Sequence, residues 1–293
     1  MVPRPILLLG ALLMLVSLGL PGTAAAAETP AKELFGAKDT PAPLAARAIG
    51  SYARGCLAGA VALPVNGPGW QVMRLSRNRF WGHPNLIATL ERLAAKAPDL
   101  GWRGLMVGDM AQPRGGPMLT GHSSHQIGLD ADIWLQPTPD HLMTNREREN
   151  VSAVSMLDRN GKTVDPRKFT PVHAALIRAS AKDRAVARIF VNPAIKKALC
   201  EGAGRDRAWL SKVRPWYGHD YHFHIRIDCP RGSSGCKDQA APPPGDGCGK
   251  ELAWWLSDAP YAKPDKPKKP APPPRPVTLK DLPPACSEVL VAR

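Results

Sequence analysis

Gly121-His122-Ser123-Ser124-His125-Gln126-Ile127-Gly128-Leu129-Asp130-Ala131-Asp132-Ile133-Trp134-Leu135 is a loop that runs into a strand. Gly115-Gly116-Pro117 marks a turn just ahead of it, and Leu129 to Leu135 alternates as strand residues do. Outward from this run, Leu105 to Met110, Val186 to Val191 and Tyr221 to Asp228 predict further short strands. Helices are predicted over Asn85 to Lys96, where Leu86, Leu90 and Leu93 recur on one face, over Val172 to Lys182 and over Pro193 to Leu199. A short helix is also predicted around Trp254-Trp255. Strands and helices do not alternate regularly and the strands are short. The expectation is an α+β fold: a single domain with a central antiparallel sheet flanked by helices and long loops, stapled by three disulfides.

Five of the eight histidines fall in two clusters, His122 with His125 and His219 with His222 and His224, while His83, His141 and His173 stand singly. His125 and Asp132 have the spacing His-x6-Asp across the loop-to-strand junction. Residues two apart on a strand share a face, so His222 and His224 can point at one site, and Asp130 competes with Asp132 for one position. Hydrolytic zinc sites use three imidazole or carboxylate ligands and keep a fourth position for water. Two histidines and one aspartate from these segments meet that need. One histidine of the 222/224 pair can then ligate while the other moves a proton. Spacing does not choose between those two, nor between the two aspartates, nor does it settle whether His122 touches metal. Asp109, Arg114 and Asp220 lie near the clusters and are candidates to orient ligand imidazoles, Asp109 and Arg114 also to hold a substrate carboxylate. Trp102, Trp134, Trp216, Trp254 and Trp255 are read as core aromatics ahead of sugar-stacking ones.

At the N-terminus, Arg4 precedes an apolar stretch from Ile6 to Leu20 and a run of small residues from Gly22 to Ala27. This reads as a secretory signal peptide over residues 1–27, cut after Ala27 and too short to span a bilayer. No other apolar run is long enough, so stable membrane insertion is not expected. All six cysteines follow the leader, and an even count in an exported chain predicts three disulfides in an oxidising compartment. Spacing supports one pairing, the short loop between Cys229 and Cys236, and the chain has no Cys-x-x-Cys metal pair. The net charge of +14 favours anionic polymers of the cell envelope. Nucleic acid is not expected, because the basic residues form no stripe interleaved with aromatics. The body spans residues 28–262, opening with a Pro-rich lead-in arm. A Lys/Pro-rich extended segment follows over 263–276, then a tail over 277–293 that Cys286 ties back.

The motif from His125 to Asp132 together with His222-Phe223-His224 resembles the signature of the zinc metallopeptidases grouped with lysostaphin, D-alanyl-D-alanine carboxypeptidases and sonic hedgehog. Within that group the chain is similar to the penicillin-insensitive murein endopeptidases. The similarity rests on Gly121 to Leu135, Ile189 to Ile195, Lys212 to Trp216 and Gly245 to Gly249, and spans nearly the whole mature chain. The resemblance implies that residues 28–262 are a metallopeptidase domain with Zn2+ held by His125, Asp132 and His224. His222 is then the candidate base, and His219 and His122 are further active-site histidines. It also implies nested disulfides, Cys56 with Cys286, Cys200 with Cys248 and Cys229 with Cys236. Some relatives carry additional metal ligands where this chain has Asn160 and Thr163, so a second metal is not expected at Asp158 to Thr163. The implied activity is periplasmic hydrolysis of the D-alanyl to meso-diaminopimelyl cross-link of peptidoglycan by metal-activated water. The partner is cross-linked muropeptide; the oligomeric state is left open, with a homodimer as one option. Two alternatives share these features: a D-Ala-D-Ala-type zinc carboxypeptidase and a non-catalytic peptidoglycan-binding protein. The one Ser-x-x-Lys, Ser234 to Lys237, lacks the companion motifs of a penicillin-binding nucleophile.

Overall fold

The structure, a computed structural model, describes residue 1, residues 28–262 and residues 274–293. The leader and most of the Lys/Pro-rich segment lie outside the described residues. Helix α1 (Ala31–Gly36) precedes strands β1 (Arg47–Ser51), β2 (Arg54–Ala58), β3 (Val61–Ala62), β4 (Asn66–Gly67), β5 (Trp70–Val72) and β6 (Trp81–Gly82). Then come α2 (Pro84–Lys96), β7 (Leu105–Val107), β8 (Asp130–Pro137), α3 (Asn145–Asn150), α4 (Pro171–Lys182) and β9 (Val186–Val191). The chain continues with α5 (Pro193–Gly202), β10 (Val213–Pro215), β11 (His222–Ile227), α6 (Lys250–Leu256) and α7 (Ala285–Val291).

A seven-stranded sheet in the order β10-β9-β11-β8-β7-β5-β4 forms the centre. Its middle, β9-β11-β8-β7, is antiparallel, while β10 joins β9 and β5 joins β7 in parallel. Those parallel pairs involve three-residue strands whose short length hides them in the sequence.

The two-residue period of the strands divides the sheet into two chemically distinct faces. Leu129, Ala131, Ile133 and Leu135 from the β8 segment, Phe223 and Ile225 from β11, and Ile189 and Val191 from β9 all join one apolar cluster. Helix α2 covers that cluster with Leu86, Leu90 and Leu93, and α4 adds Leu176 and Ile177. The α2 start is fixed by His83, whose Nδ1 accepts the Asn85 N–H at 3.2 Å, and by Pro84 in the first helical position. Truncating Phe223 to Ala would cost about 3–5 kcal/mol in such a core. The alternate residues, Asp130, Asp132, His222, His224 and Arg226, are left for the opposite face.

A second, smaller cluster joins the two ends of the chain. Phe35 of α1, Ile49 of β1, and Val289 and Leu290 of α7 are buried together. The disulfide Cys56–Cys286 lies within it, and Cys200–Cys248 and Cys229–Cys236 complete the set. These are the three pairs implied by the resemblance. Part of the Pro-rich arm is therefore an ordered helix. No helix among the described residues is long and apolar enough to cross a membrane.

Candidate metal centre

Strands β8 and β11 set the site's register: His224 stands opposite Asp132 and Arg226 opposite Asp130. His125 arrives from the loop before β8, where Gly128 has φ +69° and a Cβ would come within 2.4 Å of Leu57 Cδ2. Only glycine admits that approach. His125 and His219 themselves adopt left-handed φ of +65° and +55°, two of four such non-glycine residues among those described. Each costs on the order of 1–3 kcal/mol. For His125 the turn is held by its own N–H, which donates to Asp130 Oδ2 at 3.0 Å.

All five clustered histidines converge around Asp132. Its Oδ1 lies 3.5 Å from His125 Nε2, 3.3 Å from His224 Nδ1 and 3.6 Å from His222 Nε2. Its Oδ2 lies 3.5 Å from His122 Nε2. The His219 ring sits 4.8 Å from that of His222 and 5.9 Å from that of His224, centre to centre. Among the described residues, six buried side-chain polar atoms lack a hydrogen-bond partner. Five belong here: both nitrogens of His125, Asp132 Oδ1, His222 Nδ1 and His224 Nε2. Buried polar groups are almost always satisfied, so such a concentration singles out a binding site, in which Asp132 Oδ1 and a nitrogen of His125 are free to hold a metal. His122, His125 and Asp132 offer ligand atoms within 4.8 Å of one another. Imidazole nitrogens and a carboxylate oxygen suit a divalent metal.

The two aspartates differ sharply in their partners. Asp130 accepts from Arg226 Nε at 2.8 Å, from Arg226 Nη2 at 3.1 Å and from the His125 N–H. His224 Nε2 is 3.1 Å from Asp130 Oδ1, off the hydrogen-bonding direction. Burial would raise both carboxyls, but Arg226 and His224 hold Asp130 below the usual carboxylate range, and His222 and His125 do the same for Asp132. Burial pushes His222 down, and it pushes His219 down to about 3, with His222 and His224 adding to the effect on His219. For His224 burial works the same way, yet Asp130 outweighs it and raises the ring. A carbonyl can only accept, so the 2.6 Å contact of His219 Nδ1 with Tyr217 O places the proton on Nδ1 and leaves Nε2 as an acceptor. By the same logic His122 Nε2–H faces the Asp109 carboxylate at 3.1 Å. Asp109 also accepts from Arg77 and Arg79. Burial raises its carboxyl, but His122 and the two arginines bring the balance below the usual range.

The description of the penicillin-insensitive murein endopeptidases matches residues 48–291. The chain belongs to that family. A Haemophilus influenzae protein named penicillin-insensitive murein endopeptidase is 50% identical over 229 residues, covering 77% of this chain and 79% of its own length. Proteins of the same name from Citrobacter koseri and Escherichia coli are each 45% identical over 250 residues, covering 85% of this chain and 88% of theirs. The family match takes in both histidine clusters, all six cysteines and the strand that carries Asp130 and Asp132.

Asp109 lies where its sequence position suggested, against His122. Arg114 does not. Its guanidinium points away from the metal centre and donates to Val289 O, Leu290 O and Ala292 O, capping the end of α7. The carbonyl ends of a helix attract cations, which accounts for its place. Asp220 contributes its carbonyl to the Met156 N–H. Of the tryptophans, Trp102, Trp134 and Trp255 are buried, whereas Trp216 and Trp254 are exposed. The single histidines are structural or peripheral: His83 caps α2, His173 Nε2 donates to Leu135 O, and exposed His141 meets Asp140 and Glu147. At Asp158 the carboxylate accepts from the Thr163 hydroxyl at 2.8 Å. Arg226 is the site residue that sequence reading missed. The strand period that joins His222 to His224 reaches Arg226 one step later, and carrying it through would have found the residue.

Proposed function

We propose that the protein hydrolyses the D-alanyl to meso-diaminopimelyl cross-link of peptidoglycan in the periplasm, with zinc held by His125, Asp132 and His224. The observation that carries this is the set of unpartnered buried atoms around Asp132, in the stretch of chain that the family match spans. Asp132 rather than Asp130 serves as ligand, because Asp130 is already committed to Arg226 and the His125 N–H. His224 offers Nδ1 towards Asp132, while its Nε2 lies on the side of Asp130. His122 has Nε2 committed to Asp109, which favours an orienting role.

Zinc bound there supplies a Lewis acid that polarises the scissile carbonyl and lowers the pKa of an attacking water. His222, kept neutral by burial, takes a proton from that water and delivers it to the leaving amine. His219, with Nε2 as acceptor, fixes the orientation of the water, and His122, held by Asp109 through its Nε2–H, lines the position where the substrate carbonyl is received. A cavity of about 210 Å³ beside Arg77, Tyr221 and His222 and another of about 290 Å³ beside Phe190, Trp216 and His219 both include His122. Space on both sides supports an endopeptidase, whose substrate continues past the scissile bond in each direction, over a carboxypeptidase.

The test is zinc-loaded protein on purified cross-linked muropeptide dimers. Monomers should appear, and His125→Ala should abolish them. Release of terminal D-alanine with dimers intact would identify a carboxypeptidase instead. Dimers left uncut, or cut equally by His125→Ala, would overturn the reading.

A further inference from the structure

A third cavity, of about 430 Å³, adjoins the cleft and shares Tyr52, Arg226 and Gln239 with the cavity on the His219 side. Arg188 lines it. On the sheet, Arg188 of β9 stands opposite Arg226 of β11, and Phe190, two residues on, stands opposite His224. Strand spacing and rise put the Arg188 and His224 backbones roughly 8 Å apart. The cavity therefore begins one residue row from the metal-ligating row.

Three arginines occupy this part of the sheet, and two are spoken for. Arg226 is paired with Asp130 and Arg214 with Glu251. Arg188 is only 8% exposed, has no carboxylate within ion-pair distance among the described residues, and makes one hydrogen bond, from Nη2 to Ala240 O at 2.6 Å. Of the carboxylates lining the cavity, Asp238 accepts from the Tyr52 hydroxyl and the Cys229 N–H, and Asp228 is exposed beside Lys212. A guanidinium stays charged at every physiological pH, and a buried charge without a counter-ion is costly. An anion entering the cavity would remove that cost.

We propose that this cavity is a substrate subsite in which Arg188 binds a free carboxylate of the wall peptide. The proposal rests on the endopeptidase reading above. Inside a peptide stem a diamino-dicarboxylic acid has one amine and one carboxyl in the backbone, so acylating its second amine leaves one free carboxylate, on the carbon that bears the scissile nitrogen. A bidentate guanidinium–carboxylate pair in a semi-enclosed cavity suits that group.

The experiment is titration calorimetry of the zinc-loaded protein with two uncross-linked muropeptides that differ only in whether the diaminopimelate carboxylate is free or amidated. The free acid should bind about 10- to 100-fold more tightly, in keeping with a charge-assisted pair. Arg188→Met should erase the difference and Arg188→Lys should keep part of it. On cross-linked dimers, Arg188→Met should raise KM with little change in kcat. Equal affinity of the wild-type protein for both ligands, or no measurable binding of either, would overturn the subsite without recourse to any variant. Carboxylate-dependent binding with dimers left uncut would support the subsite and sink the endopeptidase reading alone.

Discussion

Replacing Asp130 and Asp132 separately by alanine should rank the two in opposite order on metal-free stability and on activity, although the two residues share one strand face. Asp130→Ala strands the Arg226 guanidinium, which is 7% exposed, and removes the acceptor of the His125 N–H. Breaking a buried pair from one side costs about 3–5 kcal/mol, and the orphaned N–H adds about 1–3 kcal/mol. Asp132→Ala removes a carboxylate whose Oδ1 has no hydrogen-bond partner, so the metal-free protein should change by no more than about 1 kcal/mol. Zinc reverses the ranking. Wild-type protein gains stability in proportion to the logarithm of zinc over its dissociation constant, and Asp132→Ala forfeits that gain. Urea unfolding at pH 8, with chelator and then with zinc, reads both terms, and a muropeptide-dimer assay on the folded fraction reads activity. Asp132→Ala should fall to background, while Asp130→Ala should lose about 10- to 100-fold, as expected when a partner of a ligand imidazole is removed. If Asp132→Ala in chelator is as unstable as Asp130→Ala, the carboxylate is a structural group and the ligand assignment fails.

Four further outcomes are expected. Cys56→Ser with Cys286→Ser opens a loop of sequence separation 230, and thermal or urea unfolding should register a loss of roughly 5 kcal/mol. Arg114→Met leaves three carbonyls at the end of α7 uncapped and should lower stability by about 2–4 kcal/mol. Its activity per folded molecule should be unchanged, whereas a catalytic Arg114 would show in kcat. Burial lowers the Lys196 ammonium to about 7, so the folded chain binds fewer protons than the unfolded chain between about pH 7 and the ordinary lysine value near 10.4. Stability should therefore rise with pH across that window, and the slope should flatten in Lys196→Met. Finally, chelation should abolish dimer cleavage and zinc should restore it, with β-lactams having no effect because no serine is acylated; inhibition by a lactam would contradict the mechanism.

Much of the fold was legible because strong periodicity is a local property. The α2 helix shows in Leu86, Leu90 and Leu93, and β9 begins and ends where its mostly apolar segment does, at Val186 and Val191. The parallel pairings of β10 and β5 were not legible, since a three-residue strand has no measurable period and its partner is chosen by the sheet. The helix within the lead-in arm was not legible because it is short and stabilised from outside, by Phe35 packing with residues of α7. Arg114 was misplaced for a related reason. Nearness in sequence to His122 and His125 says nothing about a long side chain whose acceptors lie some 175 residues away.

For the site itself, the sequence alone determined the inventory: five histidines and two aspartates on two loops and two strands, with the two-residue period placing His222 with His224 and Asp130 with Asp132. Period cannot rank residues that it places on one face. What sets the two aspartates apart is tertiary structure, through Arg226, 96 residues from Asp130 in the chain. Pairing β11 with β8 brings its guanidinium onto Asp130 and leaves Asp132, one row higher, facing imidazoles with an oxygen to spare. A buried charge is defined by what surrounds it, and here those surroundings are assembled from segments that meet only when the sheet forms.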